Sequence, residues 1–212
     1  MPSSRSDVRS SNPAEAFLDH SSLDETDLPW LRGVRTLTLW AVSVSPGLLS
    51  QLPGLEFLDL RGGSGSDLTL LDGVTELRFL KVNQIRGLTD LSQVGGLRKL
   101  IAISIYGLPK VTALPALNDL LELRRIDLGS MKGLESIDEL FTAPSVEELM
   151  FIRAVRVPPD AADLIAQYRP LREFGWHSLG AVPDKTWMPL VTRVGKPSPP
   201  PSWDHLLTRV DG

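Results

Sequence analysis

The stretch Gly87–Ile105, GLTDLSQVGGLRKLIAISI, decides the fold. It places an apolar residue at 88, 91, 94, 97, 100, 103 and 105, five steps of three followed by one of two. A long amphipathic helix alternates steps of three and four, and a strand alternates at two, so neither describes the whole stretch. Steps of three suit a polygonal coil that turns its apolar corners inward. The closing step of two suits a strand with alternate side chains facing in.

The same ending recurs along the chain as Leu37/Leu39, Leu58/Leu60, Leu80/Val82, Ile103/Ile105, Ile126/Leu128, Leu149/Phe151 and Phe174/Trp176. Successive copies are 21, 22, 23, 23, 23 and 25 residues apart. Three residues before each pair lies Val34, Leu55, Leu77, Leu100, Leu123, Val146 or Leu171. Three before that lies Leu31, Leu52, Val74, Leu97, Leu120, Ala143 or Tyr168. A unit this short cannot bury its apolar face alone, so the period implies stacked coils with nearest-neighbour stability.

The pattern L-x-x-L-x-x-L-x-L resembles the leucine-rich repeat, and the half DLSQVGGLRKL resembles the short-repeat class typified by internalins. The resemblance covers about residues 31 to 176. It implies an α/β solenoid of about seven repeats, with a curved parallel sheet on the concave face and short helices or 3₁₀ turns on the convex face. Asp67 and Asp90 sit where a carboxylate can cap the outer turn. One feature departs from the family. Where Asn commonly bonds the turn backbone, this chain has Val42, Gly63, Ile85, Leu108, Met131, Ala154 and Leu179. The turn amides then need other partners or water, which predicts less regular coils.

The ends read as covers. Residues 1–11 are polar and read as a disordered tail, and 12–30 as an N-terminal capping segment in which Asn12-Pro13-Ala14-Glu15 opens a short helix carrying Phe17 and Leu18. The repeat domain spans 31–194. Within it, VPPDAAD (157–163) starts a true helix, with Pro159 or Asp160 in its first turn. Residues 195–202 form a stiff Pro-rich linker, and 203–212 a C-terminal short helix with Ser202 as a candidate cap. Trp203, Leu206, Leu207 and Val210 make one apolar stripe, expected to dock on the last coils; the alternative is a partner-binding helix on a leash. The P-x-x-P from Pro197 to Pro200 reads more readily as linker than as an SH3-type ligand.

The chain has 212 residues, 42% of them apolar, a net charge of −4 and no cysteine. Length and apolar content allow a real core. The mild charge argues against nucleic acid as a partner, and the lack of cysteine removes thiolate chemistry and fits a reducing compartment. No stretch has the apolar length of a signal peptide or membrane span. The three histidines, His20, His177 and His205, show no metal-ligand spacing, and GGSGSD reads as an outer turn rather than a phosphate loop. The expectation is therefore a monomer with no cofactor, metal or catalytic residue. Composition suggests a bacterial, cytoplasmic source.

Surface geometry supplies the remaining candidates. If the repeated apolar residues face in, those between them face the concave side in three columns. The candidate partner-binding set is Trp40, Phe57, Asp59, Arg61, Phe79, Lys81, Tyr106, Arg125 and Asp127, because aromatics interleaved with arginine are the composition of a protein-binding hot spot. The sequence thus points to a protein-interaction module binding a protein partner on its concave face. An inhibitor or immunity protein for a toxin or enzyme is the first alternative, and a regulatory subunit or unrecognised enzyme the second.

Overall fold

A computed structural model describes residues 12–178 and 187–208. Its main sheet holds eight strands, all parallel to their neighbours: β1 (Glu15–Asp19), β3 (Thr36–Trp40), β5 (Phe57–Arg61), β6 (Phe79–Asn83), β7 (Ala102–Tyr106), β8 (Arg125–Met131), β9 (Glu148–Val155) and β10 (Glu173–His177). Two two-residue strands, β2 (Ser22–Leu23) and β4 (Ser43–Val44), pair beside it. The register is one coil per strand: Leu37 lies beside Leu58, then Leu80, Ile103, Ile126, Leu149 and Phe174. Short 3₁₀ turns return the chain on the outside, and the helices are α1 (Leu28–Leu31), α2 (Ala161–Gln167), α3 (Met188–Val194) and α4 (Asp204–Leu207). This is a leucine-rich-repeat solenoid.

The four-point pattern is the core. All of the repeated positions are buried except Tyr168 and Trp176, which are half-buried against the same cluster. Asp67 and Asp90 cap their outer turns as expected, accepting from the Thr69 and Ser92 backbone N–H at 3.0 and 2.8 Å. Two further coils use the same device: Asp24 accepts from Thr26 N–H at 2.8 Å, and Ser136 from Asp138 N–H at 2.9 Å. Two hydrogen bonds to the backbone and hydroxyl of Thr69 hold the Asp67 carboxyl below the usual carboxylate range. The GGSGSD stretch is an ordinary intercoil connection, with Gly65 N–H donating to Arg86 O and Arg86 N–H to Gly63 O, both at 3.0 Å. The expected helix after VPPD is α2, with Asp160 at its N-cap position.

Three expectations are corrected. Asn12–Glu15 does not open a helix. Asn12 caps a turn, accepting from Ala14 N–H at 3.0 Å, and the chain then extends as β1 against β3. A parallel neighbour gives every second amide of this segment a partner, and its alternation buries Ala16 and Leu18. The local capping signal loses to this pairing, and the sheet gains an eighth strand.

The second correction concerns the corners without asparagine, which are regular except for a register shift between β8 and β9 at Gly129/Met131. A left-handed residue follows the paired strand residues of seven successive coils: His20, Ala41, Gly62, Gln84, Gly107, Ser130 and Arg153, with φ between 47° and 69°. Five consecutive corner amides, from His20 N–H to Gly107 N–H, donate to a carbonyl of the next coil at 2.7–2.8 Å. These five turn amides are satisfied between coils, which frees the neighbouring position for apolar residues. Leu108 and Met131 are buried there, and Val42 and Ile85 are half-buried. Leu179 lies outside the described residues.

Five of the seven left-handed corners are not glycine. An L-residue in this conformation costs about 1–2 kcal/mol, partly offset by the lower entropy of the unfolded chain. Ala41→Gly is expected to raise stability by about 0.5–1 kcal/mol, whereas Gly107→Ala is expected to lower it by about 1–2 kcal/mol. Chemical denaturation of the two variants checks both signs.

The third correction is the C-terminal segment, which does not rest on the last coils alone. Lys196 and Pro197 first cover the edge of β10, with Phe174 N–H donating to Pro197 O at 2.8 Å and Lys196 Nζ to Leu171 O at 2.7 Å. An open edge strand invites pairing with another chain, and this proline-rich cover blocks it. The segment then passes over Gly175, where an added Cβ would meet the Ser198 hydroxyl, and crosses the concave face to end as α4 near its middle. Ser202 does not cap α4; its hydroxyl donates to the Asp204 carboxylate at 2.8 Å.

Candidate functional site on the concave face

The residues between the leucines face the concave side as expected, but many of them are covered. Trp203, just ahead of α4, enters an aromatic triangle with Phe57 and Phe79, with ring centroids 6.1–6.2 Å apart. With Leu206 and Ala102 they form a small apolar cluster separate from the leucine spine. Lys81 Nζ lies 4.7 Å from the Trp203 ring centroid and 5.4 Å from that of Phe57, a double cation–π contact.

Beside the triangle lies a buried ionic network. Arg125 is 0% exposed. Its Nε donates to Asp127 Oδ1 at 2.8 Å and one terminal nitrogen to Glu148 Oε2 at 3.0 Å. The C-terminal segment supplies the remaining partners. Ser202 O accepts from Arg125 at 3.3 Å, the Trp203 indole N–H donates to Asp127 Oδ2 at 2.9 Å, and His205 Nε2 lies 2.6 Å from Glu148 Oε1. Burial pushes the Asp127 carboxyl above the usual carboxylate range, against the opposing pull of Arg125 and the Trp203 indole.

Eight of the nine candidate residues divide into two groups, and Asp59 belongs to neither. Phe57, Phe79, Lys81, Arg125 and Asp127 gather under or around Trp203, and of these Phe79, Arg125 and Asp127 are buried. Their expected exposure is corrected: the cover is residues 202–206 of the same chain. Asp59 is also buried, accepting from Arg61 Nε at 2.9 Å and from Asn83 Nδ2 at 3.0 Å. The second group, Trp40, Arg61 and Tyr106, lies along the third column and leaves a flank open. Trp40 is 44% exposed, Arg61 is exposed, and the half-buried Tyr106 ring lies across the space that a side chain at Gly129 would fill. A cleft of about 730 Å³ runs between this flank and the C-terminal segment, with Arg61, Tyr106, Ile152, Trp203 and Leu207 among its walls.

Sequence reasoning missed Glu148, Ser202 and His205 as members of this site. The signal that could have found Glu148 is its place one coil from Arg125 in the same column, where opposite charges face each other across neighbouring strands. Nothing in the spacing indicates that His205 reaches Glu148, because that contact depends on where the C-terminal segment lands. Among the described residues no group of His, Asp or Glu side chains could hold a metal ion, and no helix is long and apolar enough to cross a membrane.

The coil geometry and register define the chain as a leucine-rich-repeat solenoid whose concave face carries an aromatic and ionic site. No protein-family model matches the sequence, and no curated protein sequence matches it. Among solved structures the chain is similar to internalin C2 from Listeria monocytogenes, at 15% identity, a TM-score of 0.44, and coverage of 77% of this chain and 80% of that chain.

Proposed function

We propose that the chain is a non-catalytic protein-interaction module that binds a protein partner on its concave face. The supporting observation is the open flank of Trp40, Arg61 and Tyr106 beside a polar and aromatic cleft. Trp, Tyr and Arg dominate the energetics of protein interfaces, because they bury large area at low entropic cost and add directional hydrogen bonds. A stacked-coil scaffold holds such side chains at fixed spacing, which lowers the ordering cost of association. A polypeptide segment already seated on the same face favours a peptide-like ligand over a small molecule.

The test is affinity capture with the wild type and with a Trp40→Ala/Arg61→Ala/Tyr106→Ala variant. A partner held by the wild type is expected to be lost from the variant while the variant keeps a folded circular dichroism spectrum. Retention of every partner by the folded variant would remove the concave flank from the account.

A further inference from the structure

Resting on the interaction-module reading and extending it to the covered half of the face, we propose that this half is a peptide-recognition site, which residues 195–208 occupy in cis as a built-in ligand. The partner it fits is a protein segment offering the same chemistry: an indole packed against the stacked Phe57 and Phe79 rings, a hydrogen-bond donor two residues later, and a leucine one residue after that. Those requirements are read from Trp203, His205 and Leu206, which meet Asp127, Glu148 and the Phe79–Ala102 patch.

Three observations separate a resident ligand from a piece of core. The cluster under Trp203 is disjoint from the leucine spine, so the spine keeps its packing when the segment leaves. The helix that seats it, α4, is four residues long and makes no side-chain cap bond, so it has little stability of its own. The face beneath is also ionic. A surface meant only for permanent cover would be more stable if apolar, because burying Arg125, Asp127 and Glu148 incurs a desolvation cost. Such groups gain selectivity instead, since a ligand lacking their complements leaves charges unpaired. The prolines at 197 and 199–201 restrict the leash, which keeps the effective concentration of the segment high and sets a threshold for any competitor.

The test uses the full chain carrying Trp203→Ala and Leu206→Ala, and a fluorescent synthetic peptide of residues 195–208 followed by anisotropy. The peptide is expected to bind the double variant and to bind the wild type about ten- to a hundredfold more weakly, because in the wild type the face is already occupied. Adding Phe79→Ala to the double variant is expected to abolish binding. Equal binding to wild type and double variant, or none to a double variant with a native circular dichroism spectrum, would overturn the proposal. A double variant that fails to fold would overturn it too, since the segment would then belong to the core. A concentration-dependent wild-type dimer would place a second copy's segment on the face and refute occupation in cis. Failure of the peptide together with loss of a partner in the Trp40/Arg61/Tyr106 variant would sink this proposal and leave the module reading intact.

Discussion

Replacing Arg125 by Ala is expected to cost about 3–5 kcal/mol, the scale for removing one partner of a buried ion cluster. Arg125 is fully buried and is the cation shared by Asp127 and Glu148, which lie on either side of it. Its loss leaves two carboxylates facing each other in a space closed by Trp203, with only the indole and His205 as donors. The loss should depend on pH, with a definite sign. Burial already holds the folded-state pKa of Asp127 above its unfolded value, and removing the guanidinium raises it further. A group with a raised folded pKa destabilises the fold as pH rises through that pKa, and contributes no such penalty below the unfolded value of about 3.9. The stability deficit of Arg125→Ala should therefore shrink as pH is lowered from 7 towards 4. Chemical denaturation at several pH values checks this; a deficit that is small or independent of pH would show that the ions are solvated. Replacing Arg125, Asp127 and Glu148 together by apolar residues of similar volume is expected to recover most of the loss.

Leu123→Ala is expected to cost about 3–4 kcal/mol, within the range for a leucine that leaves a cavity in a close-packed interior. Leu123 is fully buried in the spine, in the stretch that leads into β8, with the stretches leading into β7 and β9 on either side. Each coil of a solenoid draws its stability from its two neighbours, so a cavity here weakens two interfaces. A leucine near the N-terminal end of the spine, Leu31, has fewer coils beyond it, and Leu31→Ala is expected to cost less. Comparing the two by urea denaturation tests the nearest-neighbour account. A Leu123→Ala curve that broadens into two transitions would also fit it, because the chain would then unfold in halves.

The leucine spine was legible in the sequence because its determinants are local. Each repeated residue meets its counterparts about one period away, so the spacing carries the contact. Asp67 and Asp90 were legible for the same reason, since each caps an amide two residues on. The left-handed corners at Ala41, Gln84, Ser130 and Arg153 carry no such signal. At Ala41 and Gln84 the conformation goes with an intercoil hydrogen bond rather than with residue type, and no compositional rule points to an alanine or an arginine at these corners. At β1 the local rule gave a helix, and the neighbouring strand overrode it.

The candidate site was legible in part. Side-chain direction followed from strand alternation, and all nine candidates lie on the face it predicted. Exposure did not follow, because it depends on the docking of a segment remote in sequence. The apolar stripe of Trp203, Leu206, Leu207 and Val210 gave docking as an expectation, with a leashed partner-binding helix as the alternative; Trp203 and Leu206 are buried, Leu207 is exposed and Val210 lies outside the described residues. Phe57 and Phe79 on adjacent strands stack into one aromatic surface on which an indole can pack. The Pro-rich stretch likewise gave a stiff linker, but not the β10 edge it covers.

The C-terminal segment lies on the concave face, with the Trp203 indole packed against both Phe57 and Phe79. Nuclear Overhauser contacts from the Trp203 indole, assigned with a Trp203→Phe variant, test it directly. Cross-peaks to the Phe57 and Phe79 rings, with a slowly exchanging indole N–H held by Asp127, are the predicted result. A solvent-exchanging indole with no contact to either ring would contradict it.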